Sequence, residues 1–108
     1  MGVSRTDLFT SEQNELALIA KAFAHPARVA IIEYLIKANQ CINSDLVEEL
    51  GLAQATISQH LKELKSVDII AGTVEGTSMC YCINAEVWDR VKNRLQGLMD
   101  SYDPADCC

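Results

Sequence analysis

The chain has 108 residues, 49% hydrophobic and 22% charged, with a net charge of −6 and five cysteines. That length supports a single domain with one modest core, and no apolar run approaches the roughly eighteen residues a membrane span needs. Met1–Thr10 lacks the apolar stretch of an export signal, which predicts a cytoplasmic protein; an odd cysteine count there describes reduced thiols rather than a disulfide framework.

Residues 1–10 read as a flexible leader. Thr10-Ser11-Glu12-Gln13 has capping-box spacing, and Leu16, Ile19, Ala20 and Phe23 share a face, so a helix is predicted over 11–24. His25-Pro26 interrupts it, and Pro26 suits the first position of a second helix over 26–38. There Val29, Ile31, Ile32, Leu35 and Ile36 form a broad apolar arc. Cys41-Ile42 reads as a very short strand. Asn43 or Ser44 then caps a third helix with Leu46, Val47 and Leu50 facing inward.

The segment Leu50–Leu64 is the most informative. Gly51 ends the third helix, a tight turn follows, and a fourth helix begins near Gln54 and ends near Ser66. Ile57, Leu61 and Leu64 fall at i, i+4 and i+7, a stripe for burial. Ala55, Ser58, Gln59 and Lys62 occupy another side that is small, nearly uncharged and rich in hydrogen-bonding groups. Such a face suits base edges in a major groove, as a helix-turn-helix recognition helix requires. Gln54, Ala55, Ser58 and Gln59 are the candidate base readers, with Thr56, His60 and Lys62 in support and phosphate contact. Lys65 is a further phosphate candidate, and Arg28 reaches either a phosphate or Glu33.

Ile69-Ile70, Glu75-Gly76-Thr77 and Met79–Ile83 read as a hairpin, and two strands after a helix-turn-helix are a wing. A last helix from about Ala85 to Ser101 lines one side with Val87, Val91, Leu95 and Leu98, joined by Trp88 and Met99. So apolar a terminal helix predicts packing, with the first helix, on a second copy of the chain. Residues 102–108 read as a short, acidic, mobile, cysteine-containing tail. The whole is mainly α with a small β-wing: one winged helix-turn-helix domain over 11–101, dimerising through its first and last helices.

The acidic balance opposes nucleic-acid binding, because neutralising phosphates supplies much of the affinity. Gln54–Lys65 nevertheless holds two lysines against one glutamate, so a locally neutral-to-positive face fits on an acidic protein. The competing reading is an acidic winged-helix module that binds protein instead of DNA. No Gly-rich phosphate loop, nucleophile elbow or paired-carboxylate cleft appears, which argues against an enzyme.

Ala22–Arg28, Ile31–Leu35, Asp45-Leu46, Glu49–Leu52, Gln54–Leu64 and Glu75-Gly-Thr with Tyr81 together resemble the arsenical-resistance-repressor (ArsR/SmtB) family over roughly residues 13–101. The resemblance implies a homodimeric winged-helix repressor, bound to double-stranded operator DNA and released by a metal, metalloid or other chemical signal. Ala53 stands where the family often has a capping Ser, Gln59 where it often has Arg, and Glu75 and Thr77 replace basic residues at the wing tip. The family's zinc site in the last helix needs His, and 85–101 contains none. Its Cys-x-Cys pattern before the third helix is reduced to Cys41.

Side chains alternate along a strand, so Cys80 and Cys82 share one face, with Met79, Tyr81 and Ile83 on the other. If Ile42 points inward, Cys41 joins the two thiols, and cross-strand spacing of about 4.5–5.5 Å permits a three-thiolate pocket. Trivalent arsenic or antimony, or monovalent copper, suits such ligands as inducer; no obligatory cofactor is implied. Cys107-Cys108 form the rival site. Disulfide chemistry, sensing oxidants or reactive sulfur species, is the alternative to metal, and plain packing of Cys41, Cys80 and Cys82 as small hydrophobes is the bland one. His25, before a proline at a helix start, reads as a cap.

Overall fold

A computed structural model describes residues 6–42, 46–74 and 79–106 of the chain. Five helices and one hairpin follow in the order α1 (Ser11–Ala22), α2 (Pro26–Ala38), α3 (Leu46–Leu50), α4 (Gln54–Ser66), β1 (Ile70–Thr73), β2 (Cys80–Ile83) and α5 (Ala85–Asp100). Short 3-10 turns at Thr6–Leu8 and Pro104–Asp106 flank them. No helix among the described residues is long and apolar enough to cross a membrane.

The capping box forms as predicted: the Thr10 side chain accepts from the Gln13 amide, and the Gln13 side chain accepts from the Thr10 amide. Helix α1 stops at Ala22, two residues short of the predicted end. Pro26 forces the residue before it out of helical geometry, and His25 is extended at φ −150°, ψ 131°. In that conformation the His25 Nδ1 caps α2 by accepting the Ala27 amide at 3.0 Å. At the far end of α2, Asn39 adopts the left-handed conformation (φ 51°) and its amide closes onto the Leu35 carbonyl.

Strands β1 and β2 pair antiparallel in the register Ile70 with Ile83, Ala71 with Cys82, Gly72 with Tyr81 and Thr73 with Cys80. The expected strand at Cys41-Ile42 is a single bridge, Ile42 to Tyr81, so Tyr81 is held from both sides. Gly72 is obligatory opposite it: φ is +109°, and a Cβ would lie 2.1 Å from the Cys80 carbonyl oxygen. Around the fully buried Tyr81 the core gathers Ile31 and Leu35 of α2, Leu46 of α3, Ile57, Leu61 and Leu64 of α4, and Ile69 and Ile70. The arc predicted on α2 is buried only at its centre, since Val29 and Ile36 remain exposed. Glu15 on α1 clips onto α5, accepting from Arg90 at 2.5 Å and Arg94 at 2.7 Å. Hydrogen bonding from Arg90, with the charges of both guanidiniums, holds its carboxyl below the usual carboxylate range.

Candidate nucleic-acid interface and cysteine cluster

Helix α4 is positioned by its apolar stripe. Ile57, Leu61 and Leu64 are at most 1% exposed, and burying side chains of that size contributes about 1.5–3 kcal/mol each. This fixes the opposite side outward: Gln54, Ala55, Thr56, Gln59 and Lys62 are exposed and Ser58 is half-buried. Gln54 donates from Nε2 to the Ser58 hydroxyl at 3.2 Å, so two of the predicted base readers are held together one turn apart. The turn before α4 needs Gly51 at φ +69°, a conformation in which a side chain is strained even where space is open. Ala53, at the N-cap, has the required extended backbone but no side-chain cap bond.

His60 differs from the other residues predicted for this face. It is 7% exposed, and its Nδ1 accepts the Arg28 Nε–H at 3.2 Å, while its ring lies 4.4 Å, centroid to centroid, from that of His25. Its role is support from beneath, tying α4 to the start of α2. Arg28, besides His60, donates to the Lys21 carbonyl at 2.9 Å. Burial, then the nearby His25 and Arg28, push the His60 pKa below the usual histidine value.

At the other end of α4, Lys65 donates to the Gly72 carbonyl, fastening the helix to β1. Lys62, Lys65, Ser66, Thr73 and Val74 line a groove of about 310 Å³ between helix and hairpin. Nothing in the chain's periodicity signals the Lys65–Gly72 contact, which depends on how β1 packs back against α4. The wing-tip residues Glu75 and Thr77, the proposed caps Asn43 and Ser44, and the tail thiols Cys107 and Cys108 lie outside the described residues.

Ile42 is buried and Cys41 exposed; Tyr81 is buried while Cys80 is exposed and Cys82 half-buried. The three cysteines thus share a face, as alternation predicts. Here they are not three free thiols: Cys41 and Cys80 are joined as a disulfide with Cα atoms 5.6 Å apart, and Cys82 is free. A disulfide sulfur has no thiolate to give a soft ion, and among the described residues no three His, Cys, Asp or Glu side chains are grouped to hold a metal. Cys41 and Cys82 border a cleft of about 480 Å³ that Leu35, Ile36, Ile83 and Trp88 line with apolar surface.

Residues 25–71 match the family model described as "Bacterial regulatory protein, arsR family". The HTH-type transcriptional regulator MJ1325 of Methanocaldococcus jannaschii is 40% identical over 74% of this chain and 86% of its own length. The chain belongs to the ArsR/SmtB family of transcriptional regulators. Another ArsR/SmtB relative, the arsenical resistance operon repressor of Staphylococcus xylosus, is 28% identical over 87% of this chain and 88% of its own. The chain spans about half the length of the first curated relatives it matches, two Mycobacterium tuberculosis regulators (57% and 46%). A solved ArsR family transcriptional regulator superimposes with a TM-score of 0.67 over 88% of this chain and all of its own, at 22% identity. That likeness establishes the ArsR winged-helix fold.

Proposed function

We propose that this ArsR/SmtB protein is a cytoplasmic, homodimeric transcriptional repressor that lays α4 in the major groove of its operator and changes affinity through Cys41 and Cys80. The observation that carries the reading is the division of α4, with Ile57, Leu61 and Leu64 buried while Gln54, Ala55, Thr56, Gln59 and Lys62 face solvent. Gln54, Ala55, Ser58 and Gln59 read base edges, and Thr56 and Lys62 meet phosphates. Dimerisation is supported by the exposed Leu18 on α1, Leu98 and Met99 on α5, and Tyr102 beyond it. A two-fold pair of reading helices matches a palindromic operator with half-sites about 34 Å, or a multiple, apart.

The regulatory step favoured by the geometry is oxidation. Two thiols lose two protons and two electrons to an oxidant such as a peroxide, and the new S–S bond ties the end of α2 to the hairpin beside α4. A second reading, in which reduced Cys41, Cys80 and Cys82 take up arsenite or antimonite, draws support from the Staphylococcus xylosus relative. The deciding experiment is fluorescence anisotropy on the DNA flanking the gene, at two salt concentrations, with reduced protein, diamide-oxidised protein, and reduced protein carrying arsenite, antimonite or copper(I). Oxidation is expected to weaken binding at least tenfold, and Cys41→Ser to abolish that response. Release by arsenite alone replaces oxidation with the metalloid reading, whereas no binding at low salt in any state sinks the operator reading in favour of a protein partner.

A further inference from the structure

We infer that Cys82 is the third member of an exchange set in which Cys41 pairs alternately with Cys80 and with Cys82. This rests on the redox reading above and extends it from one staple position to two. The Ile42 amide donates to the Tyr81 carbonyl at 2.8 Å, and the Tyr81 amide to the Ile42 carbonyl at 3.0 Å, so these residues form a hydrogen-bonded antiparallel pair. The bridge is isolated, but its register makes Cys82 the residue facing Cys41, a position that in a regular antiparallel pair is non-hydrogen-bonded with Cα atoms about 4.5 Å apart. A disulfide spans about 4.4–6.8 Å between Cα atoms, so Cys82 by register and Cys80 by its observed 5.6 Å both fall within reach. Cys41 and Cys82 also border the same cleft.

The exchange is balanced without an external oxidant. The Cys82 thiol gives its proton to solvent, and its thiolate attacks the Cys41 Sγ. The Cys41–Cys82 bond forms as the Cys41–Cys80 bond breaks, and the departing electron pair leaves Cys80 as a thiolate that takes a proton from water. The link moves two residues along β2, about 6–7 Å at the usual strand rise. At Cys80 it holds the strand end nearest the wing tip. At Cys82 it holds the end running into Asn84, the residue that caps α5 through the Val87 amide. One position thus addresses the DNA-facing hairpin, the other the root of the helix proposed to bear the partner copy.

The test uses the full chain carrying Cys107→Ser and Cys108→Ser, oxidised with one equivalent of diamide, trapped with N-ethylmaleimide and mapped by mass spectrometry. Both Cys41–Cys80 and Cys41–Cys82 linked peptides are expected, and adding Cys80→Ser should still yield the Cys41–Cys82 link. In the oxidised parent held at mildly alkaline pH, maleimide label should pass from Cys82 to Cys80 with time. A parent that forms only Cys41–Cys80, never moves its label, and leaves both thiols free in the Cys80→Ser chain overturns the exchange while leaving the redox reading intact. A parent that forms no link involving Cys41 removes both.

Discussion

His60 projects from α4 away from the exposed side, into contact with His25 and Arg28, and among the described residues Glu63 is the carboxylate acting on it. Neutral, it accepts the Arg28 hydrogen bond; protonated at Nδ1, it cannot, and it adds a positive charge beside a guanidinium. Its folded pKa is depressed, so above the ordinary value of 6.5 it is neutral in both folded and unfolded chains and contributes no pH dependence. As pH falls below that value the unfolded chain binds the proton first, and stability declines until the folded pKa is passed. The urea midpoint of the wild type is therefore expected to drop between neutral and mildly acidic pH, and the His60→Gln profile to be flatter over that window. Loss of the Glu15 contribution comes separately, below the ordinary glutamate value of 4.5. Residue chemistry also accounts for a missing interaction: Ala53 has N-cap geometry and nothing to cap with. Ala53→Ser is expected to stabilise the protein by about 1 kcal/mol, read as a raised denaturant midpoint with unchanged slope.

At the scale of elements, α4 was legible because two of its properties are local. The i, i+4, i+7 stripe of Ile57, Leu61 and Leu64 specifies what is buried, and the polar residues between them inherit the outside. The His25 cap on α2 and the Thr10 box on α1 were readable for the same reason, since each involves residues two or three apart. Arg28 with His60, 32 residues apart, could not be seen this way, and Lys65 with Gly72 depends on how β1 packs on α4, which periodicity does not set. Strand alternation correctly put three cysteines on one face. It could not say that two of them meet closely enough to bond, because that depends on how the Ile42–Tyr81 bridge ends. If α4 reads DNA, its residues separate by function. Lys62→Ala is expected to weaken binding about equally on all sequences and to lower the salt slope by about 1, whereas Gln59→Ala relaxes discrimination at one base position. Anisotropy titrations against operator and scrambled DNA, over a salt series, distinguish the two.

For the whole molecule, the clip of Glu15 onto Arg90 and Arg94 joins first and last helices into one layer, and that layer carries exposed Leu18, Leu98 and Met99. If the chain pairs through this layer as proposed, Leu98→Glu is expected to shift it from dimer to monomer in sedimentation velocity and to weaken operator binding at least tenfold, since each half-site would then be held alone. The winged-helix class was visible from element order, but the face proposed for a second copy only as surplus apolar surface, because one chain does not display what would cover it. Oxidation has a global effect of its own. Cross-linking residues 39 apart in sequence stabilises a fold by about 4 kcal/mol through lost freedom of the unfolded chain, so oxidised protein should unfold at higher urea than reduced protein or Cys41→Ser. The bond also closes a covalent circuit around α3, α4 and β1. A protease cutting anywhere inside that circuit leaves two fragments travelling as one species, which part only when a reductant is added, so the head proposed to meet DNA can be nicked without being shed.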